Sequence, residues 1–187
     1  MQVMHRDLKL ANILLHFPNE DVSFRDIKDP VQRTIQQTQR LKTIDLISSN
    51  IQVKIADLGF ARELNHEDMT ETICGTPLVM APEVLNGTRY NHKADVWSLG
   101  IVFFELVTGF TPFTGTNRED LKRNLEKGTY KLPKKLKLSL QGLDFINGCL
   151  QFDPNVRMAW SDLIMHPYIT GDIKSENLQE QLHLSYS

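Results

Sequence analysis

Residues 93–108 hold the most apolar stretch of the chain: Val96, Trp97, Leu99, Ile101, Val102, Phe103, Phe104, Leu106 and Val107 fall within sixteen positions. Apolar groups on nearly every side suit a helix buried in a core, not one lying on a surface. Gly109 ends it. A fold built on this stretch needs other elements to surround it, and the residues that follow offer them. A helix is predicted from about Asn117 to Lys127, with an asparagine cap, Glu119 and Asp120 in its first turn and Gly128 just beyond. Two more are predicted over Ser139–Gln151 and Ala159–Met165, with Asp153-Pro154 punctuating the gap. The 187 residues fit one domain with a sizeable core.

The first third reads differently. Gln2-Val3-Met4 is extended chain, and Ile13-Leu14-Leu15 and residues 51–55 read as two short, β-branched strands. Between them, residues 19–50 are rich in Gln, Thr, Asp and Arg, with few large apolar groups. Such a segment does not repay its ordering entropy with a core of its own. Lengthening the connection is cheap, since doubling a loop costs about 0.6 kcal/mol. The expectation is a mobile polar insertion, with a helix over Pro30–Ser48 (Ile35, Leu41, Ile44) as the alternative. Residues 170–187 read as a polar tail, frayed or ending in a short helix.

With 41% hydrophobic and 24% charged residues and a net charge of −2, nothing favours nucleic acid or an anionic membrane as partner. Two cysteines, Cys74 and Cys149, are too few for a disulfide framework and lack metal-site spacing, which suits reduced thiols. No run of eighteen apolar residues and no secretory leader pattern occurs, so cytoplasm is the default expectation.

Chemistry is concentrated in short strings. His5-Arg6-Asp7-Leu8-Lys9-Leu10-Ala11-Asn12 is followed in order by Asp57-Leu58-Gly59, Cys74-Gly75-Thr76-Pro77, Ala81-Pro82-Glu83, Asp95-Val96-Trp97-Ser98-Leu99-Gly100 and Arg157. The first string places an aspartate and an asparagine on one turn, as the catalytic loop H-R-D-L-x-x-x-N does. Together the strings resemble the C-terminal lobe of a serine/threonine protein kinase over residues 3–169. The resemblance implies an α+β fold, mainly α with short β hairpins: a kinase C-lobe truncated at its N-terminus. Residues 57–62 and 80–83 look most like the autophagy-initiating and calcium/calmodulin-dependent-like serine/threonine kinases.

The resemblance also implies roles. Asp7 is similar to the base that accepts the substrate hydroxyl proton, and Lys9 to the residue that steadies the transferred phosphate. Asn12 and Asp57 match the Mg²⁺ ligands, hard oxygen donors for a hard cation, and with Leu14 they match positions that hold ATP. Leu58 stands for the commoner phenylalanine as an apolar plug, against which His5 would pack in a structural role. Thr72, with Thr70 as runner-up, resembles the activating phosphosite, whose added charge would pair with Arg6. An unmodified surface threonine is the bland alternative. Thr76 matches the threonine bridging Asp7 and Lys9 in the substrate loop. Val79 departs from the usual aromatic residue, which puts substrate preference in question. Glu83 and Arg157 resemble a buried ion pair, and Asp95 the anchor of the catalytic-loop backbone.

Other family features are absent from this sequence. No two of its ten glycines stand two positions apart, so there is no G-x-G-x-x-G loop. Lys54 lies only three residues before Asp57 and does not match the kinase lysine that pairs with a helix glutamate. The helix that precedes the catalytic loop in kinases is missing too, which predicts apolar surface bared on residues 93–108. Three readings follow. The chain is part of a kinase whose small lobe comes from upstream sequence or a partner chain covering the exposed helix, with protein substrates and feeble or no activity alone. Or it is a non-catalytic binding module. Or it is a truncated product without function.

Overall fold

The computed structural model describes residues 2–18, 24–44, 50–60, 62–64 and 77–171. Thr70, Thr72, Cys74, Gly75, Thr76 and residues 172–187 lie outside the described residues. The chain divides into two compact units, residues 11–56 and the remainder.

The larger unit is mainly helical. After strand β1 (Gln2–Met4) and, later, β4 (Arg62–Leu64), it contains α2 (Pro82–Leu85), α3 (Lys93–Thr108), α4 (Arg118–Lys127), α5 (Leu140–Cys149), α6 (Trp160–Ile164) and α7 (Pro167–Thr170). β1 and β4 pair antiparallel, with Val3 opposite Glu63. Helix α3 occupies the predicted span and lies at the centre. Trp97, Ile101 and Phe104 are buried against Met4, Leu85, Phe113 and Ile146. Val96 joins Phe145, Cys149 and Leu163 in a second cluster. Full burial of side chains such as Ile101 and Phe104 contributes about 1.5–3 kcal/mol each. Phe103 extends the packing edge-on, its ring centroid 5.2 Å from Phe145 and 5.0 Å from Tyr168.

Gly100 sets how closely α3 and α5 approach. A Cβ there would lie 2.6 Å from Cys149 Cβ and 2.9 Å from Leu150 Cδ2, so no larger residue fits without displacing α5. The helix ends follow local chemistry. Asn117 caps α4 by accepting the Asp120 N–H at 2.8 Å, and Ser139 Oγ caps α5 by accepting the Gly142 N–H at 3.1 Å.

The expectation of bared apolar surface on residues 93–108 is corrected. Of the nine apolar side chains named above, only Leu106 is largely exposed; Val96, Trp97, Ile101, Val102 and Phe104 are buried. The neighbouring helices and β1 pack around α3, with Leu99, Phe103 and Val107 partly buried.

In the smaller unit, β2 (Ile13–His16) pairs antiparallel with β3 (Gln52–Ile55), Leu14 opposite Lys54 and Leu15 opposite Val53. The connection between them is not wholly loop. Helix α1 (Pro30–Leu41) forms within it, against the expectation of an unstructured insertion. Its reason is local. Asp29 caps it by accepting the Val31 N–H at 2.9 Å, Pro30 presets the first helical φ, and the Arg33 fork grips the Ile27 carbonyl at 2.6 and 2.9 Å. None of its residues is buried, so capping, not core formation, defines it.

Candidate active site

His5, Arg6 and Asp7 run out of β1 into a turn that is irregular and tightly held. The backbone N–H groups of His5 and Arg6 both donate to the Asp95 carboxylate, at 2.7 and 2.9 Å. Arg6 adopts the left-handed region at φ 70°. That conformation costs an L residue about 1–2 kcal/mol, and the two bonds to Asp95 offset it. Next, the Asp7 N–H donates to His5 Nδ1 at 3.3 Å. Asp95 stands in the first turn of α3, where the helix dipole favours an anion. Burial nevertheless pushes its carboxyl above the usual carboxylate value, against the lowering effect of the Arg6 and His5 N–H donors.

The turn presents a charged pair. Lys9 Nζ donates to Asp7 Oδ2 at 2.7 Å, with Asp7 only 3% exposed and Lys9 27% exposed. A carboxylate fixed in place beside an ammonium is a group that can serve as a proton acceptor.

Asp57 is exposed and stands at φ 63°, left-handed like Arg6. Gly59 N–H lies 3.4 Å from Asp57 Oδ1, and a Cβ on Gly59 would come within 3.2 Å of that oxygen. The glycine leaves the carboxylate room. Leu58 between them is 64% exposed, so it does not plug a core as the sequence suggests. The three-residue 3-10 turn Leu58–Phe60 points it outward. In the smaller unit, Asn12 is buried and its carbonyl accepts the Ala56 N–H at 2.8 Å, while Leu14 is half exposed. Among the described residues, no group of three His, Cys, Asp or Glu side chains is gathered for a metal ion.

Glu83 and Arg157 meet fork to fork. Arg157 Nη1 and Nη2 donate to Glu83 Oε1 and Oε2 at 2.6 and 2.8 Å, both side chains buried. Arg157 also donates to the carbonyls of Lys93 and Gln151 at 2.9 and 3.0 Å, and its guanidinium lies 5.1 Å from the Trp97 ring centroid. With Nη2 also donating to the Phe152 carbonyl at 3.3 Å, all five guanidinium N–H donors are used.

Two neighbours of this site are given no role by the strings, although Ser98 falls within one of them. Lys93 Nζ donates to the carbonyls of Pro154, Asn155 and Arg157, and Ser98 Oγ donates to the Val79 carbonyl at 2.8 Å. A lysine at a helix start and a serine within an apolar run read as solvent-facing and neutral; their backbone partners are set only by the fold. Close by, Pro77, Leu78, Met80, Leu85 and Leu121 line an apolar cavity of about 280 Å³.

The larger unit thus holds a turn that locks an aspartate–lysine pair, an exposed aspartate two residues before a glycine, and a buried glutamate–arginine fork. The family model for the protein kinase domain matches residues 1–169. The chain belongs to the protein kinase domain family. Within it, the chain is similar to the serine/threonine-protein kinase ATG1 of Kluyveromyces lactis, at 36% identity over 173 residues, 91% of this chain and 20% of the relative. It is similar also to the ATG1 of Eremothecium gossypii, at 33% over 181 residues, 96% of this chain and 18% of the relative. The chain thus spans about a fifth of the length of these curated relatives. Among the described residues, no helix is long and apolar enough to cross a membrane.

Proposed function

We propose that this chain is the C-lobe part of a serine/threonine kinase, transferring the γ-phosphate of ATP to hydroxyls of protein substrates. The observation that carries the reading is the Lys9–Asp7 pair at 2.7 Å on a turn pinned by Asp95. Asp7 accepts the hydroxyl proton, and Lys9 lends positive charge to the phosphate in transfer. By the family resemblance, Thr76 would take the part of the threonine that bridges Asp7 and Lys9. A phosphate on Thr72 or Thr70 would pair with Arg6.

Hard oxygen donors fit Mg²⁺, and by the family resemblance Asp57 and Asn12 would be the residues to hold it and Leu14 a residue of the nucleotide site. Bound there, the ion neutralises charge on the polyphosphate. The exposed carboxylate of Asp57 and the space left by Gly59 agree with that role. With no glycine-rich loop among these 187 residues, transfer by this chain alone is slow.

A second reading, a non-catalytic kinase-like binding module, draws on that same missing loop. ATP binding separates the two. Asp57→Asn is the variant of choice, because asparagine tolerates the left-handed backbone that Asp57 adopts. The kinase reading expects Mg²⁺-dependent ATP binding that this variant abolishes without a change in melting temperature, together with phosphate transfer to serine and threonine. Mg²⁺-independent binding, or binding without any transfer, supports the module instead.

A further inference from the structure

Helix α3 holds more than the catalytic turn. Asp95 fixes His5 and Arg6, but two other side chains of its first two turns reach in a different direction. Ser98, buried, has one hydroxyl proton and two carbonyls in range, Val79 at 2.8 Å and Ala94 at 3.2 Å. The shorter contact ties α3 to the turn Pro77–Val79. Lys93 works at the far end of the same segment. Its ammonium has three protons and meets three carbonyls, of Pro154 at 2.8 Å, Asn155 at 3.3 Å and Arg157 at 3.0 Å. In return the Lys93 carbonyl accepts Arg157 Nη1 at 2.9 Å. Lysine and arginine thus clamp each other, side chain on backbone in both directions, and the clamped guanidinium is the one that grips Glu83.

We infer that Lys93 and Ser98 are positioning residues for the substrate segment 79–83: Ser98 pins its start at the Val79 carbonyl, and Lys93, through Arg157, pins its end at Glu83. The inference rests on the proposed kinase reading, in which Val79, at the start of this segment, bears on substrate preference. Between the two pins lie Met80, Ala81 and Pro82, and Met80 forms part of the apolar cavity wall. One rigid helix therefore sets the catalytic turn through Asp95 and the substrate segment through Lys93 and Ser98. Because the connections are separate, the segment can be loosened while the catalytic turn stays in place.

Amide hydrogen exchange on the 187-residue chain reads the two connections independently of activity. The Leu85 and Met80 amides, which donate to Ala81 and Pro77 carbonyls, report the segment; the His5 and Arg6 amides report the catalytic turn. Lys93→Met is expected to lower Leu85 protection about tenfold and Ser98→Ala to lower Met80 protection similarly, with His5 and Arg6 nearly unchanged. Lys93→Arg, which keeps donors for the carbonyls, is expected to restore most of the loss. Residual transfer from ATP to myelin basic protein should show the protein-substrate KM raised about fivefold in Lys93→Met, with the KM for ATP unchanged. Unchanged protection in the segment, or a parallel loss at His5 and Arg6 that Lys93→Arg does not relieve, overturns the inference. Segment-specific loss in a chain that shows no transfer supports the positioning and instead overturns the kinase reading.

Discussion

Arg157 and Glu83 stand 74 residues apart in the chain and meet through two hydrogen bonds of 2.6 and 2.8 Å in a fully enclosed site. Such a pair is weak evidence of net stabilisation, because desolvating both charges offsets much of their attraction. Breaking it is another matter. Glu83→Gln leaves the guanidinium short of its counter-charge and should cost about 3–5 kcal/mol in urea unfolding. Arg157→Met should cost more, since it strands the Glu83 carboxylate and the carbonyls of Lys93 and Gln151 together.

Asp95 gives a pH signature. Burial raises its folded-state pKa above 3.8, so the unfolded chain loses the proton first as pH rises. Stability linked to this group is greatest below the unfolded value and falls as pH climbs towards the folded value. Asp95→Asn removes the titration and leaves one of the His5 and Arg6 N–H groups facing an amide N–H. The variant should be about 1–3 kcal/mol less stable at pH 7, with a larger deficit at pH 3. Urea midpoints at the two pH values check both statements.

Gly100→Ala sets two effects against each other. Alanine improves helix propensity by about 1 kcal/mol. The new methyl would sit 2.6 Å from Cys149 Cβ, and overpacking of that kind costs about 1–3 kcal/mol. Steric cost wins, because the obstructing atom is a Cβ fixed to the α5 backbone rather than the end of a flexible side chain. A lowered melting temperature is expected, and a raised one would show that α5 yields.

Cys149 should be inert. It is buried, and burial pushes its thiol pKa up to about 12, with Arg157 lowering it only in part. Iodoacetamide followed by peptide mapping should leave Cys149 unlabelled in the folded chain and label it after unfolding in urea.

The contrast between α3 and α1 shows what sequence reveals. Helix α3 is legible because its apolar residues point all ways, and a helix of that kind has only one place to go. Helices α4 and α5 are legible from Asn117 and Ser139, whose caps act within three residues. Helix α1 is not, because its apolar content is poor and its stability comes from Asp29, Pro30 and the reach of Arg33 to Ile27. Pairing of β1 with β4 joins two three-residue strands some sixty positions apart, which no local pattern encodes. At the site, the motif strings mark His5, Asp7, Glu83, Asp95 and Arg157, and the structure gives each of these a partner. Lys93 lies outside the strings and Ser98 sits inside one without a role, because their partners are backbone carbonyls, which look alike at every position of a sequence.

The most direct test of the account is phosphate transfer from radiolabelled ATP to myelin basic protein by the 187-residue chain and by Asp7→Asn, each shown to be folded by its melting curve. The account predicts slow incorporation into serine and threonine by the native chain. Loss of the base costs about 10²–10⁴ in rate, so the variant should fall to background. No incorporation by the folded native chain, or equal incorporation by the two, would contradict it.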